Sequence, residues 1–199
     1  MPVEHREGPQ TAKRAQVQAA VLQATERLLA DGAKFAELDV GSIATAAGIS
    51  RTAFYFYFKD KRDLLMRLAG DVSEQLYEQA DIWFSGSGDH VAEVREALHR
   101  IHGLYEEHGV LLRAITEVST YDEEIATFWR GLLGRFVDPT VARIAEAGAA
   151  PGPARATAFA LVWMTERTFY ENLVQGEPLP GDEVVDALAG IWARSVYGT

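Results

Sequence analysis

The stretch DVGSIATAAGISRTAFYFYFKDK (residues 39–61) decides the fold of the N-terminal part of the chain. Residues 40–47 have the pattern of a short helix, and Asp39 is placed to accept hydrogen bonds from the free amides of its first turn. Gly48 follows, and glycine most readily takes the left-handed conformation that ends a helix. Ser50 is a suitable cap for a second helix. Two short helices joined by a tight glycine turn predict a helix-turn-helix, whose second helix is shaped to enter a DNA major groove.

The second of these helices carries a run of aromatic residues. Phe54 and Phe58 are four residues apart and share one face, which we assign to the core. The other faces are available to bases and phosphates, although Tyr57 suits a core position equally well. The candidate DNA contacts are Ser42, Arg51, Thr52, Ala53, Tyr55, Phe56, Tyr57 and Lys61.

This stretch resembles the DNA-binding domain of the TetR family of bacterial one-component transcription regulators. The matching residues are Ile43, Ala44, Ala47, Gly48, Ile49 and Ser50, followed by Phe54, Tyr55, Tyr57, Phe58 and Lys61. Within that family, the run FYFYF, residues 164–168 and residues 191–198 look like the branch that contains the mycobacterial ethionamide-resistance repressor. Gly41 departs from the polar or basic side chain that family members often carry, so the first helix offers only backbone amides and Ser42. The alternative is an aromatic-rich helical hairpin with no DNA role.

The charge distribution bears on a nucleic-acid partner. The chain has 199 residues, no cysteine and a net charge of −10, which at first argues against DNA binding. However, residues 1–70 carry 10 Lys and Arg against 8 Asp and Glu, whereas residues 71–199 carry 9 against 21. The basic residues are therefore concentrated around the DNA-binding motif. Such a distribution indicates modest non-specific affinity and dependence on specific contacts and a second half-site.

Helical periodicity runs through the chain, and no segment shows sustained period-two alternation. We predict an all-α fold of about nine helices. The predicted helices cover about residues 11–31, 40–47, 51–58, 60–83, 91–109, 110–119, 122–147 with a kink at Pro139, 154–175 and 182–197. The predicted domains are a disordered N-terminal arm (residues 1–10), a helix-turn-helix DNA-binding domain (11–62) and a ligand-binding and dimerisation domain (63–199).

The family resemblance implies a ligand cavity in the C-terminal domain. Trp129 and Phe136 are seven residues apart, so both side chains face the same side of a helix, and Trp192 is expected to close one end. An aromatic-lined cavity with few polar groups suits a small, hydrophobic, largely uncharged ligand. Ordinary packing of core aromatic residues is the alternative. The candidate ligand-binding residues are Leu98, Ile101, Tyr105, Trp129, Phe136, Val162, Thr165, Glu166, Tyr170 and Trp192.

Three positions on the helix predicted over residues 154–175 bear on the ligand. Val162 and Thr165 stand where the resembled branch tends to carry asparagines, so this cavity offers less amide hydrogen bonding. Glu166 lies on a mostly apolar helix, where a buried, unpaired carboxylate is costly. The neighbouring Arg167 is in the same situation, and two interpretations stay open: a structural salt bridge or interface pair, or a Glu166 carboxyl group that polarises part of the ligand.

The resemblance also implies a homodimer, in which the last two helices pair with their copies across a two-fold axis to form a four-helix bundle. A homodimer suits two DNA half-sites about one turn apart, roughly 34–36 Å. The helical wheel of the last helix is consistent with this pairing. The candidate dimer-interface residues are Leu161, Phe169, Val184, Leu188, Ile191 and Ser195.

Several other functions are not indicated by the sequence. There is no nucleotide-binding glycine loop and no recognisable nucleophile–base pair, so we do not expect an enzyme. His99 and His102, with Glu106 nearby, lack a further well-placed ligand, and neither a metal nor another cofactor is expected. No apolar run approaches the roughly 20 residues that span a bilayer, and residues 1–16 lack the apolar core of a signal peptide. We expect a protein of the bacterial cytoplasm with no membrane partner.

The favoured hypothesis is a dimeric repressor that binds double-stranded palindromic operator DNA and is released by a small hydrophobic effector. The first alternative is a DNA-binding regulator that acts independently of any ligand. The second belongs to another class: a small-molecule binding protein or all-α enzyme whose N-terminal domain is purely structural.

Overall fold

The computed structural model of the chain describes residues 9–148, 152–176 and 179–198, and these contain no β-strand. They form nine α-helices and one π-helical segment, which confirms the all-α prediction. The expected N-terminal arm lies almost entirely outside the described residues. The helices are α1 (Pro9–Ala30), α2 (Val40–Ala46), α3 (Arg51–Tyr57), α4 (Lys61–Phe84), α5 (His90–Ser119), α6 (Glu123–Gly134), α7 (Val137–Ala147), α8 (Ala154–Phe169), the π-helical segment (Tyr170–Gln175) and α9 (Gly181–Tyr197).

The chain divides into two compact units, Met1–Leu68 and Ala69–Thr199. The boundary lies inside α4, which is therefore shared by both units, whereas the sequence suggested a boundary at residue 62. The core of the first unit is built around Val21, Ile43, Phe54, Phe58 and Leu64, all of which are fully buried. Burial of Phe54 and Phe58 confirms that this face of α3 packs inward.

The ends of α2 and α3 are fixed by the residues that the sequence indicated. One carboxylate oxygen of Asp39 accepts hydrogen bonds from the amides of Gly41 (2.6 Å) and Ser42 (3.1 Å). The hydroxyl of Ser50 accepts from the amide of Ala53 at 3.1 Å. Gly48 has a φ of 70°, in the left-handed region where a residue with a Cβ is strained. The helix-turn-helix thus has both of its helices capped and its turn occupied by glycine.

Lys61 holds the loop between α1 and α2. Its ammonium group donates hydrogen bonds to the backbone carbonyls of Phe35 (2.8 Å), Ala36 (3.1 Å) and Leu38 (2.8 Å). It also lies 5.0 Å from the centroid of the Phe35 ring. All three ammonium protons are therefore used within the chain, and partial burial lowers the pKa of Lys61 from its ordinary value.

We expect the Lys61→Met variant to be about 1–3 kcal/mol less stable than the parent chain, because three loop carbonyls lose their charged donor. Lys59→Met is the matched control, since Lys59 is an exposed neighbour, and its effect should stay within about 0.5 kcal/mol. Chemical denaturation of both variants measures the difference. Equal stabilities, together with a selective loss of DNA affinity for Lys61→Met, would instead favour the phosphate contact predicted from the sequence.

Of two helix boundaries in the second unit, one agrees with the prediction and one differs. Residues 90–119 consist of two helical stretches that meet at a kink at His108 (φ −106°, ψ 16°), one residue before the turn predicted at Gly109. The single helix expected over residues 122–147 is broken at Arg135 and Phe136. Pro139 is not the kink: it lies in the first turn of α7, where its missing amide proton costs nothing.

The π-helical segment extends α8 by about one wide turn. Arg113 on α5 donates a hydrogen bond to the backbone carbonyl of Val174. Tyr170, at the start of the segment, accepts a hydrogen bond at its hydroxyl from the Gln175 side chain (2.7 Å). α5 packs against this segment, against α6 and against α9, so it forms the centre of the second unit.

Candidate DNA-binding and effector sites

The outer face of α3 combines exposed aromatic rings with basic side chains. Tyr55 and Phe56 are 49% and 70% exposed, although large rings of this kind are usually buried. Arg51 is also exposed, and the guanidinium of Arg14 on α1 lies 5.8 Å from the centroid of the Phe56 ring. Exposed rings beside cations are suited to thymine methyl groups and phosphates.

The remaining candidate DNA-contact residues differ in their solvent exposure and in the hydrogen bonds that their side chains already form. Thr52 is exposed, and Ala53 and Tyr57 are half-buried. The Ser42 hydroxyl donates to Asp39 (2.8 Å), and this hydrogen bond is the main reason why the pKa of Asp39 is lowered. Lys61 is fully engaged with loop carbonyls, as described above. The DNA contacts themselves stay predictions, and the side chains most available for them are those of α3.

The second unit contains an apolar cavity of about 80 Å³. It lies between α4, α5, α8 and α9, with contributions from α6 and α7, and almost all of the atoms facing it are carbon. The lining residues are Leu76, Ala80, Trp83, Phe84, Val94, Ala97, Leu98, Ile101, Tyr105, Leu133, Phe136, Thr140, Val162, Thr165, Glu166 and Trp192.

Eight of the ten candidate ligand-binding residues line this cavity: Leu98, Ile101, Tyr105, Phe136, Val162, Thr165, Glu166 and Trp192. Trp129 and Tyr170 do not. On α6 the lining begins at Leu133, one turn after Trp129, and on α8 it ends at Glu166, one turn before Tyr170. Both aromatic side chains are buried in the core instead. A helical wheel assigns a residue to a face but does not show how far along the helix a cavity extends.

The lining residues on α4 were not identified from the sequence. Leu76, Ala80, Trp83 and Phe84 all contribute to the cavity wall. A signal for them was present, since the apolar stripe through Leu76 continues at helical spacing to Ala80 and Trp83. α4 therefore contributes one wall of the cavity in its second half, while its first half belongs to the unit that contains the helix-turn-helix.

Hydrogen-bonded tryptophans form part of the cavity wall. The rings of Trp83 and Trp192 meet edge to face, with centroids 5.2 Å apart. The indole N–H of Trp192 donates to the Thr165 hydroxyl (2.9 Å), and that of Trp83 donates to the Tyr197 hydroxyl (2.8 Å). Because both indole N–H groups are satisfied, each ring is held in one orientation.

Glu166 is the acidic residue of the cavity wall. Its side chain is only 3% exposed, and neither carboxyl oxygen has a hydrogen-bond partner among the described residues. Its nearest cation is Arg167, whose Nε lies 3.7 Å from Oε2. Burial is the main cause that raises the pKa of Glu166 above its ordinary value. The arrangement is not a hydrogen-bonded ion pair, which weakens the purely structural interpretation of this residue.

We expect the stability of the parent chain to fall, relative to the Glu166→Gln variant, as the pH rises above about 4.5. A raised pKa means that the folded state binds the Glu166 proton more tightly than the unfolded state does. The free energy of unfolding therefore decreases with pH until the folded-state pKa is passed. Urea denaturation of both proteins between pH 4.5 and 8 measures this difference. A constant difference would show that burial does not perturb Glu166.

The candidate dimer-interface residues are largely inaccessible in the folded chain. Leu161, Phe169, Val184 and Leu188 are buried, and the Phe169 ring packs against Tyr105 on α5 with centroids 5.6 Å apart. The apolar stripe of α9 is thus buried within its own chain, where α9 packs against α5. Only Ile191 and Ser195 reach the surface. The predicted set is corrected accordingly: four of its members belong to the core.

α8 and α9 nevertheless expose a second, smaller apolar surface. On α8 it includes Phe159, which is 56% exposed, and Trp163, whose ring centroid lies 5.9 Å from that of Phe159. On α9 it includes Ile191, which is 38% exposed. The small residues on this surface are Ala156, Ala160, Ala187 and Gly190. Small residues beside large apolar ones permit close approach of another helix.

The histidines of α5 do not form a metal site in the part of the chain that the structure describes. His102 is buried, and its Nδ1 lies 3.7 Å from a carboxylate oxygen of Glu106. His99 lies 4.0 Å from Asp182. No group of three or more His, Asp or Glu side chains in the described ranges is arranged to hold a metal ion. Likewise, no described helix has the length and apolarity needed to cross a lipid bilayer.

Known proteins resemble this chain along most of its length. Residues 21–68 match the family of bacterial regulatory proteins called the tetR family, and residues 94–198 match the C-terminal domain of transcriptional regulator EthR. The chain is 35% identical to the HTH-type transcriptional regulator EthR of Mycolicibacterium smegmatis over 193 residues, covering 92% of this chain and 87% of that protein. Identity to the regulator of the same name from Mycobacterium tuberculosis is 33% over 191 residues, covering 90% and 86%. The crystal structure of a TetR-family regulator from Syntrophomonas wolfei shares the fold, with a TM-score of 0.72 and 15% identity, covering 93% and 95%.

Proposed function

This chain belongs to the TetR family of transcriptional regulators, and from that premise we propose that it is a repressor released from a palindromic operator by a small apolar effector. The helix-turn-helix of the first unit binds DNA, and the cavity of the second unit binds the effector. The protein acts as a homodimer in the bacterial cytoplasm, where its operator lies. The family and the relatives are transcriptional regulators and not enzymes, which argues against an all-α enzyme with a structural N-terminal domain.

The observation that carries the DNA-binding part is the exposure of Tyr55 and Phe56 on α3. The two rings are consecutive on one short helix, and a cluster of exposed apolar groups is typical of an interaction site, whereas single exposed rings are not. The caps at Asp39 and Ser50 fix the ends of both helices, so the rings are presented on a rigid element. The nearby cations Arg14 and Arg51 supply attraction to phosphates.

The cavity supports control by an effector through α4. Four residues of this helix line the cavity. The same helix begins at Lys61, whose ammonium group donates to backbone carbonyls of the loop that precedes α2. An effector that fits one position of α4 better than another shifts the population of that position. The spacing of the two recognition helices in the dimer changes with it, and affinity for two half-sites falls. Differential affinity for the two positions is required, because equally tight binding to both has no effect.

Dimerisation is best supported by the exposed apolar surface of α8 and α9. Phe159, Trp163 and Ile191 supply apolar area, and the neighbouring alanines and Gly190 allow the helices of two copies to approach closely. Phe159→Asp should therefore produce monomers in analytical ultracentrifugation, whereas Phe169→Asp should unfold the chain because Phe169 is a core residue. A stable dimer of Phe159→Asp would place the interface elsewhere.

An electrophoretic mobility shift titration against the promoter region of the protein's own gene tests this function. We expect a specific complex with a palindromic DNA sequence, and we expect a small apolar compound such as 1-hexanol to dissociate this complex. A complex that no cavity-binding compound dissolves would favour the ligand-independent regulator. Absence of any specific complex with that DNA would contradict self-regulation through an adjacent operator.

A further inference from the structure

One lining residue of the cavity is acidic, and no lining residue is basic. Glu166 stands among aliphatic and aromatic side chains together with three hydroxyl-bearing residues. Two of those residues already use their hydroxyls in the chain: Thr165 accepts from Trp192, and Thr140 donates to the carbonyl of Phe136 (2.7 Å). The carboxyl group of Glu166 has no such partner among the described residues. Buried polar groups normally have one, so the carboxyl oxygens of Glu166 are available to accept hydrogen bonds from a molecule in the cavity.

The groups around Glu166 compensate its charge only in part. Arg167, at 3.7 Å, is half-exposed and hydrogen-bonds to Glu171 at 3.3 Å, while its guanidinium lies 4.9 Å from the centroid of the Tyr170 ring. Burial is the main cause that raises the pKa of Glu166; Arg167 lowers this pKa, and Glu171, which has the same charge sign as Glu166, raises it. On α5, Tyr105 is buried, and both its burial and the Glu166 charge raise the pKa of its phenol, so it stays neutral. Arg167 is thus shared between Glu166 and Glu171, and no cationic residue is among the described residues that line the cavity.

We propose that Glu166 selects the effector, and that the effector is an apolar amine whose ammonium group forms an ion pair with the Glu166 carboxylate while its hydrocarbon part fills the cavity. The inference rests on the proposed function, since it names the ligand class of the same cavity. An ammonium group supplies both the hydrogen bonds and the charge that the carboxyl oxygens lack. An apolar carboxylate of the same length would be repelled by the Glu166 carboxylate, because no described lining residue is cationic. A neutral alcohol would gain only a hydrogen bond.

The proton balance gives this recognition a signature. In the free protein the raised pKa means that Glu166 keeps its proton to a higher pH than an exposed glutamate does, whereas an alkylamine is in its ammonium form. Binding leaves a carboxylate paired with an ammonium group, so the Glu166 proton passes to the buffer. Over the pH range in which free Glu166 is protonated, the affinity for the amine therefore rises about tenfold per pH unit.

Isothermal titration calorimetry of the full chain with hexylamine, 1-hexanol and hexanoate tests the proposal. The three probes share one hydrocarbon part and differ in their polar end. The variants are Glu166→Gln, which keeps size and hydrogen bonding but removes the charge, and Glu123→Gln as a control at an exposed acid outside the cavity. Titrations in two buffers of different ionisation enthalpy count the protons released.

We expect hexylamine to bind the parent chain most tightly and hexanoate least tightly, with proton release on binding of the amine. Glu166→Gln should weaken hexylamine binding at least about tenfold and abolish the proton release, while 1-hexanol binding and the Glu123→Gln control stay unchanged. Equal hexylamine affinity in the parent chain and Glu166→Gln, or a preference for hexanoate, would overturn this inference alone. If none of the three probes binds, the effector cavity of the proposed function is overturned as well.

Discussion

Replacing Tyr55 by alanine should reduce operator affinity by roughly 100-fold to 10,000-fold. A tyrosine hydroxyl that donates to a phosphate forms a hydrogen bond with a charged group, which contributes about 1.5–3 kcal/mol. A homodimer loses this contact twice, so the total loss is about 3–6 kcal/mol. Fluorescence anisotropy with a labelled operator duplex measures the affinity, and the salt concentration must be held constant because phosphate contacts depend on it.

Three further measurements separate a DNA contact from a change of the fold. Tyr55→Phe removes only the hydroxyl, so it shows how much of the loss comes from hydrogen bonding. Tyr121→Ala is the control, because Tyr121 is also exposed (65%, against 49% for Tyr55) but lies in the second unit. Tyr55 also touches the Phe54 ring edge to face (5.6 Å), so the melting temperature of each variant must be compared. Unchanged operator affinity of a folded Tyr55→Ala dimer would remove Tyr55 from the DNA interface.

Filling the cavity should abolish effector control and leave DNA binding intact. Ala97 is buried and lines the cavity, so the three carbons added in Ala97→Leu occupy space that is empty in the parent chain. A ligand that must share this space with the new side chain meets an overpacked site, which costs about 1–3 kcal/mol, or roughly 5-fold to 150-fold in affinity. Titration calorimetry with 1-hexanol measures the binding, and anisotropy measures the DNA affinity in the absence of the alcohol.

Ala158→Leu is the matched control for this variant. Ala158 is fully buried but does not line the cavity, so the same added carbons strain a packed core and destabilise the chain by about 1–3 kcal/mol. Ala97→Leu should be less destabilised than Ala158→Leu, since its leucine enters existing space. Equal destabilisation of the two variants, with unchanged binding of the alcohol by Ala97→Leu, would mean that the cavity does not receive the ligand.

Local patterns in the sequence were sufficient for the DNA-binding unit. The caps at Asp39 and Ser50, the left-handed Gly48 and the buried pair Phe54 and Phe58 all depend on residues within a few positions of each other. Short-range hydrogen bonds and helical spacing fix such features, and both can be read directly from the order of residues. The all-α class follows from the same periodicity.

The sequence also indicated which side of each helix faces the cavity, and eight of the ten candidate ligand-binding residues line the cavity. The sequence did not indicate where the cavity ends along each helix. Whether Trp129 or Leu133 reaches it depends on where neighbouring helices diverge along their axes, which helical spacing does not encode. The contribution of Trp83 arises in the same way, since α4 passes the cavity only in its second half.

The tertiary structure alone decided which apolar stripe serves the core and which is left for a partner. On α9 the sequence offers apolar residues on two faces, and α5 covers the one that carries Val184 and Leu188. The face with Ile191 is left exposed. Likewise, the sequence placed Glu166 on an apolar helix, but only the tertiary structure shows that this acid is buried without a hydrogen-bond partner among the described residues. The order of residues fixes what each helix can present, while the competition among all helices for apolar cover fixes what each one buries.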